Sequence, residues 1–213
     1  MKNIWDFWAA PYERLWVQKH SLGPTRQLVL TELGQLAKGQ ANRPIKHLDV
    51  GCGTGQLIEE LVKEFGPLIY STGLDFSSKM VALASAKNLP ANFVLADAHA
   101  LPFATEEFDI LTCCHSFPYY QNKPLVLQEF FRVLKPGGYL FLVNASINNL
   151  YDLLVMAIVK LSTGKASYPS SLETSKLLAK AQLTKSAQKQ LPCKLLMPSI
   201  VLTIATKGSE AEG

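Results

Sequence analysis

The stretch from Ile45 to Leu57, Ile-Lys-His-Leu-Asp-Val-Gly-Cys-Gly-Thr-Gly-Gln-Leu, constrains this 213-residue chain more than any other. Its first six residues, Ile45 to Val50, read as a buried strand, and Gln56 to Phe65 reads as a helix. A strand that turns at once into a helix brings backbone N–H groups and a positive helix end to the carboxyl edge of a sheet. Gly51, Gly53 and Gly55 remove side chains at that turn, so a ligand can lie against the backbone. Asp49 adds a carboxylate facing the same crevice. A glycine-rich strand–turn–helix alone is also compatible with nothing more than a tight turn.

From Ile45 onward the pattern alternates strand and helix. Strands are expected at Leu68–Asp75, Asn92–Asp97, Phe108–Cys114 and Tyr139–Asn144, with helices at Ser77–Lys87 and Lys123–Leu134 and a turn at Pro136-Gly137-Gly138. Such alternation predicts an α/β fold, a doubly wound, mostly parallel sheet with helices on both faces. Beyond it come an apolar helix (Ile147–Leu161), a polar loop, a helix (Leu172–Ala181) and two strands, Thr184–Leu191 and Ser199–Thr206. Those last two are joined too briefly for a crossover helix, so they pair antiparallel and bring the sheet to seven strands. Ahead of the sheet, Trp5, Trp8, Tyr12, Leu15 and Trp16 recur at helical spacing across Ile4–Lys19, and a second helix is expected from about Pro24 to Leu36. We read residues 1–40 as a helical leader or lid, 41–207 as the main domain and 208–213 as a frayed tail.

Composition narrows the class. The length and a 48% hydrophobic content suffice for one sizeable core. A net charge of +4 from scattered Lys and Arg reads as ordinary solvated surface, so no nucleic-acid partner is expected. Cys52, Cys113, Cys114 and Cys193 form no C-x-x-C pair or disulfide framework, which fits reduced thiols. The first residues lack a signal-peptide apolar core, and the run Leu150–Val159 is too short to span a bilayer. A cytoplasmic protein is expected, its oligomeric state open.

Two further acids follow the glycine turn. Asp75 ends the second strand, twenty residues past Gly55, where a carboxylate can accept both hydroxyls of a ribose or, alternatively, cap the next helix. Asp97 ends the third strand before Ala98; a carboxylate there can accept from an adenine amino group, or close an Asx-turn. Asp49, Asp75 and Asp97 are expected in register at successive strand ends. The glycine spacing is not the G-x-G-x-x-G of a dinucleotide site, and no Arg or Lys follows to meet a phosphate. The expected ligand is a nucleoside without phosphates.

Taken together, these segments resemble the class I S-adenosylmethionine-dependent methyltransferases, in particular the small-molecule group of ubiquinone and menaquinone biosynthesis (the methyltransferase type 11 domain). The resemblance rests on His47–Gly55, Gly73-Leu74-Asp75-Phe76-Ser77 with Met80, Ala96-Asp97-Ala98, Leu101-Pro102-Phe103, Phe108-Asp109-Ile110-Leu111 and Arg132–Leu140, about residues 45–145. It implies a Rossmann-like fold with S-adenosyl-L-methionine as cofactor. In that reading Gly51, Cys52, Gly53, Thr54 and Gly55 take the methionine part, with Asp49 near its ammonium and the backbone at Cys113 beside it. Asp75 holds the ribose, Phe76 and Met80 flank the adenine, and Asp97 with Ala98 read its edge. Tyr12 matches a tyrosine of related leader helices that closes over the cofactor; an aromatic core role stands beside it.

The chain departs from that family at Cys113-Cys114-His115-Ser116-Phe117-Pro118-Tyr119-Tyr120. His115 is a candidate general base, with a loop or packing role as the alternative. Tyr119 and Tyr120 are candidates to line the acceptor pocket. Two adjacent cysteines without a third ligand favour a buried strand end over a metal site. The expected activity is methyl transfer to a small, largely apolar acceptor, the pocket roofed by the leader and by Leu153, Leu154 and Met156. Rival readings are a phospholipid or amine N-methyltransferase at a membrane surface, an NAD-dependent dehydrogenase and a non-catalytic cofactor-binding protein.

Overall fold

The computed structural model describes residues 5–6, 9, 11–14, 18–38, 43–163, 166–192 and 197–209. In chain order these form α1 (Gly23–Lys38), β1 (Ile45–Val50), α2 (Gln56–Phe65), β2 (Ile69–Asp75), α3 (Ser78–Ser85), β3 (Asn92–Leu95) and β4 (Phe108–Cys114). They continue with α4 (Lys123–Val133), β5 (Leu134–Ser146), α5 (Leu150–Thr163), α6 (Ser171–Lys180), β6 (Leu183–Gln190) and β7 (Ser199–Lys207). The seven strands make one sheet in the order β3-β2-β1-β4-β5-β7-β6. The first five run parallel, while β7 is antiparallel to both β5 and β6. The expected doubly wound sheet with an antiparallel C-terminal pair is the fold observed.

Burial explains why the middle strands carry so few polar residues. A parallel sheet is covered on both faces, so both side-chain sets of a strand must pack. Leu48, Val50, Leu111, Leu140 and Leu142 face one core with Phe130 and Val133 of α4. Ile45, Ile69, Ile110, Phe141 and Val143 face the other, with Val29 and Leu33 of α1 and Leu57 and Leu61 of α2. After β3 the chain returns to the far side of β1, so β1 and β4 are neighbours at the point where strand order reverses. Loops leave that point in opposite directions and open a crevice above the strands' carboxyl ends.

Three expectations are corrected. The aromatic periodicity over Ile4–Lys19 predicts one helix, but the described residues make a 3₁₀ turn at Tyr12–Arg14 and a π-helical turn at Gln18–Leu22. Pro11 is the physical reason, since it has no N–H to donate and disfavours helix in the residue before it. Trp8, Leu15 and Trp16 lie outside the described residues, as does Cys193. The Pro136-Gly137-Gly138 turn sits inside β5 as an excursion: Phe108 pairs with Leu134, and the next pairing is Ile110 with Tyr139. In α5 the Leu153 and Leu154 side chains point outward, 49% and 61% exposed, while Val155, Met156 and Asp152 face in. Asp152 sets that rotation by accepting from Ser199 N (2.8 Å) and Asn148 N (3.0 Å).

Gly73, mid-strand in β2, shows how closely the crevice floor is packed. A Cβ there would lie 2.8 Å from Phe93 Cδ1, 2.9 Å from Cys52 Sγ and 2.9 Å from Ile58 Cδ1. Overpacking of this kind costs about 1–3 kcal/mol. Gly73→Ala is therefore expected to lower stability by that amount in urea denaturation, and a neutral result would mean that β2 and α2 are less tightly joined.

Candidate functional site

The glycine turn is built by hydrogen bonds to the neighbouring strand. Gly51 N and Cys52 N both donate to the Leu74 carbonyl, at 2.7 and 3.0 Å. Gly51 and Gly53 take the left-handed backbone, with φ of 77° and 56°. A side chain at Gly51 would collide with Ser116, whereas at Gly53 a Cβ would meet only the Tyr12 ring, 3.6 Å away. The turn is thus closed at Gly51 and leaves a cradle at Gly53. Thr54 is buried behind it, and Gly55 leads into α2.

The three acids do not stand level. Asp49 pairs with Gly73, and Asp75 pairs with Leu95, two residues short of Asp97. Each acid is displaced by two residues along its strand from the one before, roughly 6–7 Å at strand rise. The staircase suits an elongated ligand better than a compact one. Asp75 Oδ2 accepts from Gly53 N (2.9 Å) and Oδ1 from Ser77 N (2.8 Å). Each oxygen of a carboxylate keeps a further lone pair for an incoming hydroxyl. Ser77, not Asp75, caps α3, accepting from Met80 N. Asp97 closes an Asx-turn onto His99 N (2.9 Å) and contacts His99 Nδ1 (2.6 Å). Beside them Phe76 is 46% exposed, whereas Met80 and Ala98 are buried.

Leader residues lie against this half of the crevice. Burial first, then the Asp75 carboxylate, pushes the Tyr12 hydroxyl up to about 12, so it stays protonated. Ser77 Oγ donates to Asp6 Oδ1 (2.5 Å), and Glu13 pairs with Lys87 (2.8 Å), which also pairs with Glu59. On the other side of the crevice an aromatic group forms. Trp5 meets Tyr119 edge-on with centroids 4.9 Å apart, and the Tyr119 and Tyr168 hydroxyls lie 3.3 Å apart. Tyr120 OH donates to Ser116 Oγ (3.0 Å), which donates to the Val50 carbonyl (3.0 Å) and lies 3.1 Å from Cys113 Sγ.

Burial holds the Cys113 thiol up at about 12 and pushes Cys52 above its ordinary value, so neither is a thiolate at neutral pH. His115 has a left-handed backbone (φ 62°) and its Nε2 lies 2.9 Å from Thr25 Oγ1 of α1. Burial lowers its imidazole to about 4. The ring is thus neutral and joined to α1. Sequence reasoning gave no role to Ser116 or to His47. Nothing in the sequence signals Ser116, because its contact with Gly51 arises only in three dimensions. His47 had a signal: it stands two residues before Asp49 in a strand, hence on the same face. Its ring is fully buried between Ser71 Oγ (3.1 Å) and Thr112 Oγ1 (2.9 Å), and Thr112 donates to Asp49 Oδ1 (2.7 Å).

Residues 48–142 match the family described as a methyltransferase domain. The demethylmenaquinone methyltransferase of Thermotoga maritima is 39% identical over 100 residues, 47% of this chain and 43% of that protein. The 2-phytyl-1,4-naphtoquinone methyltransferase of Synechocystis is 40% identical over 96 residues, 42% of this chain and 40% of that protein. The chain spans less than half the length of these relatives. Among solved structures, the methyltransferase of a Haloferax volcanii complex with the Trm112 methyltransferase activator superposes with a TM-score of 0.78 at 20% identity, covering 96% of this chain and 97% of that one. A Thermotoga maritima S-adenosylmethionine-dependent methyltransferase gives 0.73 at 21% identity, covering 97% and 100%. At such identities the two structures establish the shared fold.

Two outcomes follow from the acids. If Asp75 holds ribose hydroxyls, Asp75→Ala removes hydrogen bonds to a charged group, about 1.5–3 kcal/mol. The affinity for S-adenosylhomocysteine in calorimetry should then fall by about ten-fold or more; an unchanged value returns Asp75 to the turn alone. Asp49 is raised from 3.8 to about 7, by burial and then by Asp75, against the Thr112 hydrogen bond that lowers it. Between those pH values the folded chain holds a proton that the unfolded chain has lost, and this contribution disappears as pH rises through about 7. Asp49→Asn carries no charge at any pH, so its melting temperature should exceed the parent's at pH 8 and by less at pH 5. A gap that is equal or larger at pH 5 would contradict the assignment.

Proposed function

We propose that this chain, whose residues 48–142 carry the methyltransferase domain, is an S-adenosylmethionine-dependent methyltransferase acting on a small, largely apolar acceptor. The observation that carries the reading is the coincidence of that domain with the Gly53 cradle and the acid staircase Asp49, Asp75, Asp97. The residues fit the cofactor. Gly51 to Gly55 would hold its methionine part and Asp49 its ammonium. Asp75 would take the ribose hydroxyls, Phe76 a face of the adenine, and Asp97 with the Ala98 backbone its edge. Bound there, S-adenosylmethionine supplies an electrophilic methyl group on a sulfonium.

The chain's own contribution is position and dryness. In-line displacement needs the acceptor's nucleophilic atom held behind the methyl group, and orientation alone contributes roughly 7–11 kcal/mol. Tyr119, Tyr168 and Trp5 offer an aromatic wall for a planar, apolar acceptor. The names of the relatives, both quinone methyltransferases, support an acceptor of hydroquinone type. With Tyr12 against Gly53 and Asp6 on Ser77, the leader reads as a lid that keeps water from the sulfur. His115, neutral and joined to Thr25, is a poor candidate for a base at neutral pH. No described helix is long and apolar enough to cross a membrane.

The test is a labelled-methyl transfer screen over hydroquinones, phenols, amines and phospholipids, run beside calorimetry with S-adenosylmethionine and NAD. Transfer to a hydroquinone or phenol, with S-adenosylmethionine bound and NAD not, is the expected result. Tighter binding of NAD would overturn the cofactor assignment, and transfer to amines or phospholipids alone would overturn the acceptor class.

A further inference from the structure

Beneath the glycine turn, three strands contribute to one line of buried polar side chains. Ser71 comes from β2, His47 from β1 and Thr112 from β4, and the line ends on the Asp49 carboxylate. All four are buried, His47 and Thr112 with no exposed surface. Their neighbours on that face of the sheet are apolar: Ile45, Ile69, Ile110 and Phe141. A polar group in such a place is retained only with its hydrogen bonds made.

Hydrogen-bond counting gives the line a direction. Thr112 has one hydroxyl proton and donates it to Asp49 Oδ1. Toward His47, 2.9 Å away, it can then only accept, so Nε2 carries the imidazole proton. Nδ1 is left as the acceptor and takes the hydroxyl proton of Ser71, 3.1 Å away. Every donor in the line thus points toward Asp49. The two strands that flank the crevice are clamped by the same bonds, because His47 and Asp49 are on β1 while Thr112 is on β4.

We propose that His47 is a positioning residue: through Thr112 it fixes the Asp49 carboxylate in the rotamer that meets the cofactor's ammonium group. The proposal rests on the assignment of Asp49 to that ammonium. His47 itself touches no ligand. Its part is to occupy the second face of the Thr112 hydroxyl, which leaves that hydroxyl one orientation, toward Asp49.

The test compares two ligands that differ in the group Asp49 would meet. S-adenosylhomocysteine carries the amino-acid ammonium; 5′-methylthioadenosine has the same thioether nucleoside without it. Calorimetry is run on the parent chain and on His47→Leu, His47→Gln and Thr112→Val, with thermal unfolding to confirm that each is folded. His47→Leu and Thr112→Val should weaken S-adenosylhomocysteine by about ten-fold, the scale of one hydrogen bond to a charged group, and leave methylthioadenosine unchanged. His47→Gln, which can donate to Thr112 and accept from Ser71, should recover most of the loss. If either damaging variant weakens both ligands alike, or neither ligand, His47 only packs and the proposal fails. Should His47→Leu not fold, Thr112→Val and His47→Gln decide between the same outcomes. A parent chain that binds neither ligand would instead overturn the cofactor assignment beneath the proposal.

Discussion

Two backbone N–H groups on one carbonyl hold the site together. Gly51 N and Cys52 N both donate to Leu74 O, and this binds the start of the turn to β2. With that anchor, the chain must reverse within a few residues to start α2, and it does so through positive φ at Gly51, Gly53 and Gly55. The left-handed turn aims Gly53 N at Asp75. It also leaves the space beside Gly51 that Ser116 fills, drawing the loop after β4 onto the turn and with it Tyr120. The floor and one wall of the crevice are consequences of the same two hydrogen bonds.

Electrostatics explains which ligand such a floor favours. Asp49 and Asp75 are both raised, burial being the larger cause in each and, for Asp49, its neighbour Asp75 adding to it. A buried carboxylate with a second one near it is disfavoured in its charged form, and a cation placed against it relieves it. Arg26, the nearby fixed cation, is turned away: its guanidinium donates to Glu60 (2.6 Å), Gln18 (3.1 Å) and Gln56 (3.2 Å). Among the described residues Arg26 thus does not supply a positive charge to Asp49, and a cationic ligand would relieve it. An ammonium and a sulfonium answer that description, whereas a pyrophosphate does not.

Much of this was legible in the sequence, for reasons that differ by element. The glycine run and the strand pattern are local signals. The relative height of the acids is not local. It depends on the register of β1 with β2 and of β2 with β3, which the crossover helices set, and so a level row was expected where a staircase stands. The leader shows a stronger signal hiding a weaker one, as the aromatic spacing outweighed the single Pro11 that interrupts it. In α5, hydrophobicity alone favoured Leu153 and Leu154 as the inward face, but one buried carboxylate, Asp152, with its two backbone donors, fixed the rotation. A short polar residue inside an apolar helix is the kind of signal that decides orientation, because its hydrogen bonds have few places to be made.

The two described parts of the N-terminal region are joined to the rest of the chain to different depths. α1 is bound by apolar packing, with Val29 and Leu33 fully buried against β1, β4 and α2. Among the described residues, the segment before it meets the rest of the chain where Asp6 reaches Ser77, Glu13 reaches Lys87, Trp5 packs edge-on against Tyr119 and the Tyr12 ring lies beside Gly53. Partly exposed ion pairs of the Glu13–Lys87 kind contribute about 0–1 kcal/mol each and are screened by salt. Releasing such contacts leaves the sheet and its two cores untouched. α1 does not depend on those ion pairs, and it holds Thr25 against His115 beside the loop after β4. The difference is one of burial: Val29 and Leu33 are fully buried, whereas the Glu13 side chain that meets Lys87 is 44% exposed.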